Sequence, residues 1–195
     1  MTRRGRLFAV LAIVAGGALA IISSTQTWMD IALSAGATDP VPVPGAAAVT
    51  LLAPLSLAAL ALGLALTVVG RVLRYAFGGI AVFIGVALCV QALRVGFTLP
   101  VDAIAGTVTT TTGLTGDDAV ASLVVSITPT IWPYLTGIAG AIIGLGGVLT
   151  LATGHAWASG GRRYQTADGA APASRPHDAI DSWDDLSRGD DPTSR

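Results

Sequence analysis

Residues 46–99 read AAAVTLLAPLSLAALALGLALTVVGRVLRYAFGGIAVFIGVALCVQALRVGFTL. The first part, 46–69, carries no charge. A turn at 70–74 holds Arg71 and Arg74, and a second apolar run, 75–99, is interrupted by Gln91 and Arg94. A helix rises 1.5 Å per residue, so about 20 apolar residues cross a hydrocarbon core about 30 Å thick. Both runs reach that length, and no soluble helix stays apolar on every face for so long. Residues 46–99 therefore read as two membrane crossings joined by a tight turn. Pro54 lies inside the first, where a kink is tolerated if neighbours satisfy the freed carbonyl.

Two more segments of the same kind, 7–27 and 131–153, complete an all-α membrane protein with a four-helix transmembrane bundle. The composition agrees. The 195 residues are 52% hydrophobic and 12% charged, with a mean hydropathy of +0.70, whereas soluble domains carry about 25% charged residues. The net charge of −1 conceals a segregation, because all 11 basic residues are Arg and all 12 acidic ones Asp. Arg3, Arg4 and Arg6 precede the first span, Arg71 and Arg74 fill the turn at 70–74, and Arg162 and Arg163 follow the fourth span. The connections 28–45 and 100–130 hold Asp30, Asp39, Asp102, Asp117 and Asp118 and no basic residue. By the positive-inside rule the three arginine clusters are cytoplasmic. Both termini are then inside and the chain is expected in the plasma membrane. A second reading of the start is a secretory signal, with Ala18-Leu19-Ala20 as its cleavage site. Cleavage would leave three spans in the same orientation.

Outer loop 1 contains Thr27-Trp28-Met29-Asp30-Ile31-Ala32-Leu33, which favours extended structure. It also contains Pro40-Val41-Pro42-Val43-Pro44-Gly45, where each proline holds its predecessor out of the helical region. A loose β-hairpin is expected here. Outer loop 2 has a threonine run, 107–112, broken by Val108. A turn bracketed by Gly113 and Gly116 follows, then a short helix over 119–126 opened by Asp117 and Asp118. Trp28, Trp132, Tyr134, Trp157 and Tyr75 fall near span ends and fit an aromatic belt.

The tail, 154–195, is polar and expected to be disordered, except where Ile180, Trp183 and Leu186 recur every three residues within an acidic stretch. That spacing puts them on one helical face, suited to docking on a cytoplasmic protein partner. Arg94, with Gln91 a turn before it, is the intramembrane charge and hence the candidate functional position. It reads either as a site for a carboxylate or as an arginine snorkelling to the interface and pairing with Asp102. Gly140 and Gly144 form a small-x-x-x-small pattern that serves packing within the bundle or a homo-oligomer face. Cys89 is alone and reads as a small buried hydrophobe. No catalytic arrangement, phosphate loop, metal set or basic patch is present. Neither enzymatic activity, a cofactor nor a nucleic-acid partner is expected, and the lipid bilayer is the partner composition implies.

Four spans, Trp28 after the first, Ile131-Trp132-Pro133-Tyr134 entering the fourth, Arg163-Tyr164 after it and a tail reading W-x-x-L-x-x-G-x-D-P-T from Trp183 to Thr193 together resemble the tryptophan-associated transmembrane family of actinobacteria. The resemblance covers essentially the whole chain. Two departures are Arg162-Arg163-Tyr164, where Ser-Arg-Tyr is usual, and Asp190, where Glu is frequent. It implies a link to tryptophan synthesis by gene neighbourhood and no catalytic residues. Three functions follow as alternatives: an accessory or scaffold protein tethered through the tail, a small oligomeric transporter or exporter of an aromatic amino acid or precursor using Arg94 and Gln91, and a claudin-like envelope contact protein. A single sheet built from both outer loops would mark the third.

Overall fold

A computed structural model describes residues 2–34 and 39–156. Among these residues, three helices are long and apolar enough to cross a membrane: α1 (Thr2–Thr25), α4 (Arg71–Thr98) and α7 (Trp132–Thr153). Four shorter helices accompany them: α2 (Gly45–Ala48), α3 (Leu52–Ala65), α5 (Val101–Thr112) and α6 (Asp117–Leu123). Three strands, β1 (Thr27–Leu33), β2 (Val41–Pro44) and β3 (Val124–Pro129), form one antiparallel sheet in the order β2-β1-β3.

The second apolar run differs from the single helix expected over 46–69. It is α2, a break at 49–51 with Val49 extended, and then α3 of 14 residues. Pro54 explains the break. Without an N–H it cannot bond the carbonyl of Thr50, and its ring crowds that carbonyl, so it sits in the first turn of α3 rather than at a mid-helix kink. At about 21 Å, α3 alone is shorter than a hydrocarbon core. The segment nevertheless runs the length of α1 in the opposite direction. The Gly45 N–H bonds the Gln26 carbonyl at one end (3.0 Å), and Arg6 donates to the Thr67 carbonyl at the other. The turn expected at 70–74 is shorter, since Arg71 and Arg74 already belong to α4.

α1 lies between α3 and α7. A Cβ on its Gly16 would come within 2.9 Å of the Ala139 carbonyl, and one on Gly17 within 3.1 Å of the Leu60 nitrogen. Ala20 is fully buried. The Ala18-Leu19-Ala20 bonds thus lie inside a helix that touches two others. α4 packs on α7 more closely still. A Cβ on Gly85 would meet the Gly140 carbonyl at 2.6 Å, one on Gly140 the Cys89 nitrogen at 2.7 Å, and one on Gly147 the Gly78 carbonyl at 2.8 Å. Backbone lies on backbone here, which small residues alone permit. The side chains left uncovered are apolar, among them Phe83, Leu57, Leu64 and Leu145, as a lipid-facing surface requires.

The hairpin expected in the first connection, 28–45, is present as β1 and β2, with Ile31 opposite Val41 and Met29 opposite Val43. The connection 100–130 is more ordered than a loop. The threonine run is the second half of α5, where Thr110, Thr111 and Thr112 donate back to carbonyls three or four residues earlier while Ile104 and Val108 bury the opposite face. The short helix stops at Leu123, and Val124-Val125-Ser126-Ile127-Thr128 continue as β3. Ile127 lies opposite Ile31 and Thr128 opposite Asp30. Four of those five residues are β-branched, which favours a strand.

Gly85→Ala should destabilise the protein by about 1–3 kcal/mol through overpacking. Gly79→Ala, whose Cβ would meet nothing within 4 Å, should be close to neutral. Thermal unfolding in mild detergent compares the two.

Candidate functional site

The helix end beside the sheet is organised around Trp28. This side chain is fully buried, so it is no interface anchor of the belt kind. Its Nε1–H donates to the Ser23 carbonyl (3.0 Å) and to Ser23 Oγ (3.1 Å). Thr136 Oγ1, on α7, donates to the same Ser23 Oγ (2.7 Å). Gly45 lies against the indole, in a position where a Cβ would overlap the ring. One buried network thus ties β1, the end of α1, the start of α2 and the first turn of α7. Thr130 extends it, donating from its backbone to the Trp28 carbonyl (2.9 Å) and from its hydroxyl to the Thr27 carbonyl (2.7 Å). On α7, Tyr134 donates to the Gly96 carbonyl (2.8 Å) and meets Phe97 edge-on at 5.3 Å.

At the opposite end Arg74 has a second role beyond marking topology. It is buried, 2% exposed, and its guanidinium donates to the Gly154 carbonyl (2.9 Å) just past α7. A cation on carbonyls at a helix C-terminus is favourable in both charge and hydrogen bonding. The start of α4 is so fastened to the end of α7.

Gln91 and Arg94 come together on α4 at the sheet end. They border a hollow of about 250 Å³ whose other walls include Thr50 and Leu51 from the break before α3, and Pro100 and Asp102 from the start of α5. Pro54 creates the break. Leu99, in the left-handed conformation (φ 44°), and Pro100 turn the chain from α4 into α5. Asp102 thereby meets Arg94, Nη2 to Oδ2 3.0 Å, with the two side chains 51% and 61% exposed. Asp102 also stands in the first turn of α5, where a carboxylate suits the helix dipole. Among the described residues no group of three His, Cys or Asp side chains is placed to hold a metal. Ile180, Trp183 and Leu186, and Trp157 of the aromatic set, lie outside the described residues.

Arg94, Gln91 and Asp102 stand out in the sequence. The joining of Trp28 to α7 through Ser23 and Thr136 does not, because Ser23 and Thr136 are 113 residues apart and carry no local signal of contact.

Several long apolar helices, packed through glycines and surrounded by uncovered apolar side chains, define a multi-pass integral membrane protein. A small sheet caps one end of its helices. The chain belongs to the family of tryptophan-associated transmembrane proteins, whose profile matches residues 10–193. Among curated proteins and among solved structures, none matches significantly.

Two substitutions separate the strong contacts from the weak. Trp28→Phe keeps the ring but removes the donor to Ser23, and should cost about 1–3 kcal/mol for the buried acceptors left behind. Arg94→Ala should change stability by less than about 1 kcal/mol, since its ion pair is exposed. Chemical unfolding in detergent micelles measures both.

Proposed function

We propose that this chain is a non-catalytic contact protein of the plasma membrane. It crosses the bilayer four times, with both termini in the cytoplasm and the sheet outside. The observation that carries the contact reading is the joint sheet. Strands from both outer loops pair through β1, and the Trp28 network binds them to the helices. A folded outer platform is what an envelope contact protein of the claudin-like kind requires. The strand at one side, β3, presents Val125 at 69% exposure and has no charged residue.

Two contacts support four crossings. Arg6 reaches Thr67 at one end and Gly45 reaches Gln26 at the other, so the segment from Gly45 to Thr67 travels as far as α1 does. The orientation rests on the arginines. Arg6, Arg71 and Arg74 gather at the end away from the sheet, and the connections on the sheet side carry aspartates.

A second reading is an accessory or scaffold protein for tryptophan synthesis, held through the tail. Ile180, Trp183 and Leu186 motivate it, and the family's tryptophan association supports it. Transport draws on Arg94 and Gln91, but Arg94 stands four residues from the end of α4 with its side chain half exposed, away from the middle of the helices. The buried hydroxyls of Ser56 and Thr150 donate to carbonyls of their own helices, which uses the single donor of each.

Photocrosslinking in intact cells tests the contact reading against the scaffold reading. A photoreactive residue at position 125 should give discrete adducts that Thr128→Asp weakens. Adducts from position 183 with none from 125 would favour the scaffold and defeat the outer contact. For topology, single cysteines are placed in a Cys89→Ser background. Thr115→Cys should react with an impermeant maleimide on whole cells, and Val68→Cys only after permeabilisation. The reverse pattern would invert the chain.

A further inference from the structure

The long helices do not close into a ring. α1 packs on α3 and α7, and α7 on α1 and α4, while α3 and α4 have little contact despite the short turn between them. The 250 Å³ hollow stands at the sheet end of this open side, between the break before α3 and the last turns of α4. Arg94 is four residues, about 6 Å, short of the end of α4 at Thr98. That is the depth of lipid headgroups in either orientation of the chain. The hollow is smaller than the roughly 300–1,000 Å³ typical of sites for drug-sized ligands, and headgroup-sized.

Its charges select among headgroups. Arg94 and Asp102 sum to zero, and both side chains are more than half exposed. The ion pair runs between one guanidinium nitrogen and one carboxylate oxygen, so each group retains hydrogen-bonding capacity: a guanidinium has five N–H donors and a carboxylate about four acceptor sites. An anion would meet attraction from Arg94 and repulsion from Asp102. A group carrying both charges meets attraction from each. We propose that the hollow binds the headgroup of a phospholipid bearing a phosphate and a primary ammonium. The phosphate lies on Arg94 and Gln91, and the ammonium donates to Asp102. A trimethylammonium has no N–H to give that carboxylate, and a glycerol headgroup has no cation for it. A free amino acid offers the same pair of charges without the acyl chains, for which the open side between α3 and α4 leaves room.

The test uses full-length protein in mild detergent, exposed to an equimolar mixture of phosphatidylethanolamine, phosphatidylglycerol and phosphatidylcholine. Bound lipid is counted by native mass spectrometry. One additional hydrogen bond, about 1 kcal/mol net, corresponds to roughly fivefold preference for phosphatidylethanolamine. Asp102→Asn should abolish the preference, and Arg94→Gln should reduce retention of all three lipids. Thr50→Trp, which fills the hollow and leaves both charges, should also remove the preference and guards against misfolding of the charge variants. Equal retention of the three lipids, or a preference unchanged by Asp102→Asn and Thr50→Trp, overturns the proposal. So does displacement of the bound lipid by millimolar alanine or tryptophan, which would assign the hollow to a free amino acid.

Discussion

Lipid chains are as apolar as leucine, so burying a leucine between two membrane helices gains little over leaving it in the bilayer. Helices there associate through close shape matching and the hydrogen bonds it allows. In this protein that constraint falls on the seam between α4 and α7, where Gly85 lies on Gly140 and Gly144, and Gly147 on Gly78. The approach is close enough that backbone, not side chain, forms the contact surface. Everything at the two ends follows from the resulting alignment. The seam brings the end of α7 to Arg74, which donates to the Gly154 carbonyl. It also brings Tyr134 to Gly96, and so fixes where α4 ends and α5 begins.

The same alignment makes the sheet possible. β1 continues directly from α1 and β3 leads directly into α7, so pairing them demands that α1 and α7 end at the same height. The bond from Thr136 to Ser23, joining those two helices at their shared end, sets that height. Trp28 then fills the corner between helices and sheet with both of its faces covered and its single donor satisfied. A sheet of three short strands needs a packed face to be stable. Met29, Ile31 and Val43 provide it, each fully buried.

Much of this was readable from residues and some was not, for definite reasons. Length and apolarity located the long helices because both are local properties. Period-two alternation and the Pro-Val repeat located β1 and β2 for the same reason. Pro54 stands out in the sequence, but whether it kinks a helix or opens one does not. A proline fits either a kinked interior or a first turn, and the choice depends on whether the preceding turn has another partner. The threonine run looked like a loop because threonine is a weak helix former, yet each hydroxyl can return to its own helix's carbonyls. β3 was concealed by the acidic helix start just before it. Gln91 and Arg94 stood out as polar residues in an apolar run, whereas the hollow beside them depends on a break more than forty residues earlier in the chain.

The two edges of the sheet are not equivalent. An open edge invites pairing with another strand, and proteins blunt such edges with proline or charge. β2 is blunted: Pro42 and Pro44 remove two of its four N–H groups, consistent with the confinement of proline to edge strands. β3 sits at the other edge and carries no proline before Pro129, no charge and several exposed side chains. An edge that is merely tolerated would be expected to carry one of these devices, as its counterpart does. Under the proposed contact reading, the asymmetry favours β3 over β2 as the contacting edge.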